Sequence, residues 1–427
     1  MNDSPAAGSI PPTVLIVSQV YPPDQAATGQ HIADVAEEWV RRGFRVVVYT
    51  SARGYDDCSR RYPPREQLRG VDVRRLRLSS FGKSSILVRL LAGGLFLLQS
   101  VVAGFFLRGV CTVLVSTSPP FAGMAGVLLS RLHRAPLIWW VMDLNPDQLI
   151  ATGALGEGSL LVRTFRWLNR VTVAQARDVI VLDHFMQSRL LRNIPGVSNI
   201  RVIPPWYHGD ALATKADLAE DFRAAQGLTG QFVVMYSGNH ALQHPLDTLL
   251  DAAKMLESTR DIVFVFIGGG LGKRAVEERI RSGATNLRSL PFRPLESIGA
   301  SLSAADIHVV SMGDQVVGIV HPCKIYGVMA VGRPVLFFGP AASAAGELIT
   351  ADDFGRVVPH GDVAAAVEAI LHLRSLRGTG LEAMGQRAAV IARSRFSQKV
   401  ARNQVCDLVQ YPHVGGAGDL RPENGGA

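Results

Sequence analysis

Short apolar runs, each leading through a loop into a stretch with helical spacing, alternate along almost the whole of this chain. That alternation constrains the fold more than any other feature. Val14–Ser18, Arg45–Thr50, Val71–Leu76, Val113–Ser116, Leu137–Val141 and Val179–Leu182 lie in the first half. Phe232–Tyr236, Ile262–Ile267, Ile307–Ser311, Val335–Phe338 and a short run at Arg356–Val358 repeat the pattern in the second. Helices are expected from Gln30 to Arg42, then at Pro245–Glu257, Lys273–Arg281, Leu295–Ser303, Pro322–Val331 and Val363–Leu373. Runs of this kind are buried on both faces, which requires parallel sheets with helices on either side. A chain of 427 residues with 48% hydrophobic content is too long for one ordinary core. The expected fold class is therefore α/β, with two doubly wound Rossmann-like domains facing a cleft, at 13–206 and 207–396. The Pro204-Pro205 break and a polar linker at Tyr207–Ala219 separate them, a helix occupies 397–412, and the tails 1–12 and 413–427 are expected to be unstructured.

In open α/β sheets ligands bind outside the carboxyl ends of the strands, so functional side chains are sought in the loop after each apolar run. The most informative loop lies in residues 318–338, which join a polar loop, a short helix and a buried strand. From Gly318 it offers backbone donors. Pro322 opens the helix, where a missing N–H costs nothing, and Lys324 adds positive charge to a helix start that favours an anion. The first strand leads through Tyr21-Pro22-Pro23 to Ala27-Thr28-Gly29, where Gly29 fits either a phosphate-facing loop or a plain turn. Trp139-Trp140-Val141-Met142 ends on Asp143, a carboxylate at the cleft edge. Its alternative role is to cap the following turn, for which Asp147 is better placed. Tyr236-Ser237-Gly238-Asn239-His240 followed by His244-Pro245 is again strand, glycine turn and helix. The Gly268–Ala275 stretch contains a Gly-x-Gly-x-x-Ala pattern, but no acidic residue closes the next strand near Asn286–Leu290, which argues against a dinucleotide site.

Pro322-Cys323-Lys324-Ile325-Tyr326 followed by Met329-Ala330-Val331-Gly332-Arg333-Pro334 resembles the donor-binding segment of the family 4 retaining glycosyltransferases of GT-B fold. The branch it resembles builds surface polysaccharides and exopolysaccharides of the colanic acid and O-antigen type, and the resemblance spans all but the tails. Cys323 stands where relatives have serine. Ile319 and Gly327 stand where many carry a pair of glutamates, the second of which holds the nucleotide ribose. The resemblance implies transfer of a sugar from a nucleoside-diphosphate sugar to a lipid-linked (polyprenyl-diphosphate) glycan, with no metal and no bound cofactor. It also implies that the terminal helix crosses back to the first domain. Retention in the family is ascribed to same-face attack assisted by the leaving phosphate, so no protein nucleophile is implied. Asp143 takes the position that contacts donor sugar or acceptor hydroxyl, and Gly29 the position of a loop facing the diphosphate or acceptor. Asn239 and His244 replace the arginine and lysine that relatives set against the diphosphate, and both side chains can donate hydrogen bonds. Lys324 is then left to carry more of the charge, so Asp143 and Lys324 are the implied catalytic residues. Phe292 and Arg293 fall where relatives read the base, or form an ordinary loop. Glu347 either replaces the missing ribose carboxylate or is a helix-surface glutamate. Two rival readings are a nucleotide-sugar epimerase of the same fold and a non-catalytic membrane-associated scaffold.

A formal charge of +8 suits nucleic acid, anionic lipid or phosphorylated substrates. Scattered arginines and 7% aromatics, with no interleaved basic and aromatic strand, argue against nucleic acid. Cys58, Cys111, Cys323 and Cys406 form no disulfide framework or Cys-x-x-Cys pair, in keeping with a reducing cytosol. No His-Glu-x-x-His or Asp-x-Asp pattern suggests a metal, Asp56 and Asp57 being adjacent. Asp3 and the lack of an apolar N-terminal core argue against a secretory signal. Leu90–Leu107 is uncharged and just reaches the roughly 18 residues of a transmembrane candidate. Strands expected on both sides of it would then be split across the bilayer. Gly93-Gly94, Gly104, Arg89 and Arg108 favour a helix in the headgroup region, with a buried crossover helix as the alternative. The expected location is the cytoplasm, peripherally on the inner face of the cell membrane.

Overall fold

The computed structural model describes residues 11–24, 26–54, 59–79, 86–207 and 216–409. The two tails from 1 to 10 and from 410 to 427, linker residues 208–215, Asp56, Asp57, Cys58 and the start of the apolar segment lie outside the described residues.

The first domain is built on an 8-stranded sheet in the order β3-β4-β2-β1-β5-β6-β7-β8. Its strands are β1 (Thr13–Val17), β2 (Arg45–Ser51), β3 (Arg65–Leu68), β4 (Val71–Leu76), β5 (Val110–Ser116), β6 (Leu137–Trp140), β7 (Ala176–Val181) and β8 (Ile200–Val202). All pairs are parallel except β3 with β4. The apolar runs sit in the middle: Val14 to Val17 and Val113 to Val115 are wholly buried. The sequence reading missed β3, because Arg65-Glu66-Gln67-Leu68 is a polar edge strand with no apolar run to reveal it.

The first domain's helices are α1 (Ala27–Arg41), α2 (Ile86–Phe105), α3 (Ala122–His133), α4 (Asp147–Ala151), α5 (Leu160–Gln175) and α6 (His184–Asn193). In α1, Ile32, Val35, Ala36 and Trp39 repeat at helical spacing and are buried, and Gly43 with φ 89° ends the turn that follows. Right-handed crossovers that run in opposite directions along the sheet put α1 on one face and α2, α3 and α5 side by side on the other. Helix α2 is thus a crossover helix with one packed side, including Ala92, Phe96, Leu97 and Ser100. Its other side leaves Leu91, Leu98, Val102 and Phe105 exposed. Among the described residues no helix is long and apolar enough to cross a membrane.

The second domain has a 6-stranded parallel sheet in the order β11-β10-β9-β12-β13-β14. Its strands are β9 (Phe232–Ser237), β10 (Ile262–Ile267), β11 (Leu287–Leu290), β12 (Ile307–Ser311), β13 (Val335–Phe338) and β14 (Gly355–Val358). Its helices are α7 (Ala216–Ala225), α8 (Asp247–Met255), α9 (Lys273–Arg281), α10 (Leu295–Ser303), α11 (Lys324–Ala330), α12 (Ala344–Asp352), α13 (Val363–Ser375) and α14 (Thr379–Arg395). Helix α7 starts inside the stretch read as linker. Helix α11 begins at Lys324, two residues later than expected from Pro322, so the lysine itself opens the first turn. A last helix, α15 (Gln398–Cys406), packs on α1 of the first domain, where Trp39 Nε1 donates to Cys406 O at 3.3 Å and Arg402 pairs with Glu38 at 3.1 Å.

Both sheets change winding direction once, between β1 and β5 and between β9 and β12. Such reversals splay the loops after the two strands apart and leave a crevice at the carboxyl edge. The loops at these edges hold the candidate site.

Candidate functional site

The carboxyl edges of the two sheets face each other, and residues from both domains meet there. Leu144 N, just after β6, donates to Ile319 O at 2.9 Å. Gly318 has φ 69°, and a Cβ there would stand 2.6 Å from Phe185 O at the start of α6. Only glycine fits that close approach. His321 Nδ1 lies 2.7 Å from Asp183 Oδ2, and its Nε2 lies 2.8 Å from Tyr326 Oη, with the two rings stacked. Asp183 Oδ1 also accepts from Met186 N at 2.7 Å, capping α6. Burial works to raise the Asp183 carboxyl, but the His321 hydrogen bond and charge overcome it and hold the pKa below the usual value. At the mouth, His184 Nε2 and Glu347 Oε2 are 3.2 Å apart, both exposed.

Lys324 reaches from the start of α11 to the end of β9. Its Nζ donates to Tyr236 Oη at 2.5 Å and lies 3.8 Å from the ring centroid. The tyrosine in turn donates to Asn239 O at 2.8 Å, which orients the β9 loop around the lysine. Burial lowers the Lys324 pKa from 10.5 to about 7, and the neighbouring Cys323 offsets only part of that effect. His244 Nδ1 bonds to Ser311 O at 2.7 Å, and its pKa is pushed down to about 3, by burial first and Lys324 second. His240, wholly buried beside Tyr236, is lowered to about 4 by burial, then by Lys324 and Lys273.

Across the crevice, Asp143 N and Met142 N both donate to Thr117 Oγ1, at 3.2 and 3.1 Å, which fixes the turn after β6. The Asp143 carboxylate takes no hydrogen bond among the described residues, so it caps nothing there. Burial raises its pKa from 3.8 to about 6. Cys323 lies close enough to feel that charge: its thiol is pushed up to about 12, by burial first and Asp143 second. With Leu144 bonded to Ile319 across the crevice, Asp143 of the first domain and the Cys323-Lys324 turn of the second lie on the two sides of one site. Asp147 is a structural group, bonded to Arg189 Nε at 2.9 Å and to Asn193, tying α4 to α6.

The remaining sequence candidates divide. Asn239 is exposed on the β9 loop beside Lys324 and Tyr236. Phe292 lies against Gly268 and Gly269, where added Cβ atoms would stand 3.3 and 3.1 Å from its ring, and the side chain is exposed. Arg293 turns away, its guanidinium 5.0 Å over the Phe222 ring of α7. Gly29 is buried in the first turn of α1, its N–H bonded to Ala26 O, and a Cβ there would stand 3.2 Å from the Tyr21 backbone. Glu347 is at the cleft mouth with His184 rather than inside. Lys273, from the glycine-rich stretch, has its ammonium on the carbonyl oxygens of Gly268 and Leu290, closing the ends of β10 and β11. Sequence reasoning did not single out Tyr236, His321, Asp183 or Thr117. Asp183 carries the same signal as Asp143, a carboxylate just past an apolar strand, and was findable by it. Among the described residues no cluster of three or more His, Cys, Asp or Glu side chains is arranged to hold a metal ion.

Residues 27–206 match the glycosyl transferase 4-like domain family, and residues 231–376 match glycosyl transferases group 1. The chain is 22% identical to the putative colanic acid biosynthesis glycosyl transferase WcaI of Escherichia coli (strain K12) over 362 residues, 78% of this chain and 85% of that one. It is 23% identical to the probable glycosyltransferase WbjE of Pseudomonas aeruginosa, over 62% of this chain and 68% of that one. The fold is shared with Anabaena Alr3699/HepE in complex with UDP, at TM-score 0.69 and 17% identity, covering 93% of this chain and 99% of that one. WaaG, a glycosyltransferase of lipopolysaccharide biosynthesis, gives TM-score 0.69 at 14% identity, covering 94% and 100%. The two parallel-sheet domains are thus those of the GT-B architecture, and with both halves matched the chain belongs to the glycosyltransferases that join a glycosyl transferase 4-like domain to a group 1 domain.

Proposed function

We propose that this glycosyltransferase moves a sugar from a nucleoside-diphosphate donor to a lipid-linked polyprenyl-diphosphate glycan in bacterial surface or exopolysaccharide synthesis, with retention and without a metal. The observation that carries the reading is the backbone bond from Leu144, next to Asp143, to Ile319 in the loop that leads to Lys324, which joins the two facing sheet edges. The names of the relatives, one in colanic acid biosynthesis, support the pathway class, and neighbours of the same fold in complexes with UDP and UDP-glucose support the donor class. In this reading Lys324 takes the charge that grows on the departing diphosphate, a preorganised electrostatic role. The C1–O bond to the phosphate breaks, the C1–O bond to the acceptor forms on the same face, and the hydroxyl proton passes to a leaving phosphate oxygen. Asp143 holds the acceptor or donor hydroxyl. Tyr236 restrains the lysine.

The lipid-linked acceptor places the enzyme at the inner leaflet, and the outer face of the first domain supports that placement. Leu91, Leu98, Val102 and Phe105 on α2, Leu128 and Leu132 on α3, and Leu160 and Trp167 on α5 are all exposed. No acidic residue occurs between Ile86 and Met142 or within α5, while Arg108, Arg131, Arg134, Arg163 and Arg170 are exposed. An apolar face edged by arginines matches an anionic lipid surface.

The test is a thermal-shift series with UDP, GDP and ADP, followed by assay of the matching nucleotide sugars for release of nucleoside diphosphate. A ligand at about 100 times its Kd adds roughly 2.7 kcal/mol, enough for a clear rise in Tm. Interconversion of sugar epimers without transfer would favour the epimerase. Absence of both binding and turnover would favour the scaffold.

A further inference from the structure

The histidine at the second domain's switch point is held in one tautomer. His244 Nδ1 lies 2.7 Å from Ser311 O, and a carbonyl oxygen only accepts, so Nδ1 carries the proton. In the neutral ring Nε2 is then an unprotonated lone pair. The ring is not free to turn over. Gln243 O accepts from Gly313 N at 2.9 Å, and Ser311 Oγ donates to Pro245 O at 2.5 Å. Residues 243, 244 and 245 are thus each tied to the end of β12, and flipping the imidazole would lose its own tie. His244 is half-buried, and its Nε2 has no hydrogen-bond partner among the described residues.

The surroundings keep the ring neutral, since burial and the neighbouring Lys324 disfavour a second positive charge. A neutral Nε2 cannot donate to a phosphate oxygen, which itself offers only lone pairs at neutral pH. The sequence position therefore suggests a phosphate ligand, while the side chain presents an acceptor. Flanking the diphosphate, a nucleotide sugar offers hydroxyls of the ribose on one side and of the transferred sugar on the other, and only the ribose is shared with the free nucleoside diphosphate.

We propose that His244 Nε2 accepts a hydrogen bond from a hydroxyl of the transferred sugar, making His244 a residue that selects the sugar and leaving the diphosphate to Lys324. This rests on the donor class proposed above. Sites built to bond a hydroxyl discriminate strongly against analogues that lack it, because the buried polar group is left unpaired.

The experiment measures affinities of the full chain for three pairs, UDP with UDP-glucose, GDP with GDP-mannose and ADP with ADP-glucose, by titration calorimetry. Whichever pair binds is then measured with His244→Phe, His244→Gln and His244→Lys. The expected result is that His244→Phe weakens the nucleotide sugar about tenfold, roughly 1.4 kcal/mol, while the nucleoside diphosphate stays within about twofold. His244→Gln, which keeps an acceptor oxygen, recovers part of the loss, and His244→Lys does not. Equal weakening of both ligands by His244→Phe, no weakening of either, or tighter diphosphate binding by His244→Lys would overturn the proposal. Should the phenylalanine variant not fold, ¹⁵N NMR of the wild-type ring decides. Nε2 remains unprotonated with saturating nucleotide sugar if the proposal holds, and an imidazolium formed on adding the nucleoside diphosphate alone refutes it. If the wild-type chain binds none of the three pairs, the donor reading itself fails and takes this inference with it.

Discussion

Lys324 combines a buried ammonium with the task assigned to it, and the two pull against each other. With its pKa lowered to about 7 by burial, the lysine of the free enzyme gives up its proton more readily than a free side chain does. A diphosphate binds the charged form, so donor affinity is expected to fall as the pH rises above about 7, up to tenfold per unit, in calorimetric titrations. The unfolded chain holds this proton up to about 10.5. Between about 7 and 10.5 it therefore binds more protons than the folded one, and the lysine's contribution to stability improves as the pH rises through that window. Lys324→Met is predicted to lower turnover at least tenfold, about 1.4 kcal/mol of barrier, without lowering Tm. Unchanged kinetics in a folded variant would remove the lysine from the mechanism. Asp143 has the opposite sign. Its folded pKa of about 6 exceeds the 3.8 of the free side chain, so its contribution to stability is lost as the pH rises from about 3.8 to about 6. Asp143→Asn should keep nucleotide binding and lose transfer, with Tm unchanged or higher because a neutral amide is cheaper to bury than a carboxylate. A lower Tm with activity per folded molecule intact would instead assign Asp143 a structural role.

At the scale of elements, α2 is the informative case. Length and hydropathy set it apart in the sequence, but they describe a buried helix and an interfacial one equally well. Packing separates the two sides, with Phe96 and Leu97 inside and Phe105 outside. Replacing Phe105 and Phe106, both exposed, with aspartate is predicted to move the protein from the membrane fraction to the soluble one while activity on a short water-soluble acceptor persists. Basic residues near an anionic surface contribute about 1 kcal/mol each, so wild-type binding to vesicles containing phosphatidylserine should weaken with salt. Binding that ignores both changes would exclude this face. Elements with their own apolar signal, such as β10, β12 and β13, were legible to the residue. Edge strand β3 and the start of α11 were not, since a polar edge and a helix entry are decided by neighbours rather than by local spacing.

On the scale of the whole molecule, the contacts that join the two domains across the crevice include the Leu144–Ile319 backbone bond and the buried His321–Asp183 pair. Asp183→Asn keeps an oxygen to cap Met186 and removes the charge facing His321, which isolates the pairing across the cleft. It is predicted to cost on the order of 1–3 kcal/mol in denaturant unfolding and to widen the domain separation seen by small-angle scattering. An unchanged scattering profile and midpoint would show that closure rests on other contacts. The alternating apolar runs alone determined two parallel α/β domains, because a strand buried on both faces has few other ways to be covered. They also placed Asp143 just past a strand, and His244 and Lys324 in the loop and at the helix start that follow strands, the side of such sheets on which ligands are sought. Tertiary structure alone decided the protonation of these groups and their company. Lys324 meets Tyr236 from 88 positions away, Ser311 sets the His244 tautomer across 67, and His321 finds Asp183 across 138. Desolvation and hydrogen bonding act through space, so the chemistry of each side chain was settled only when the chain had packed.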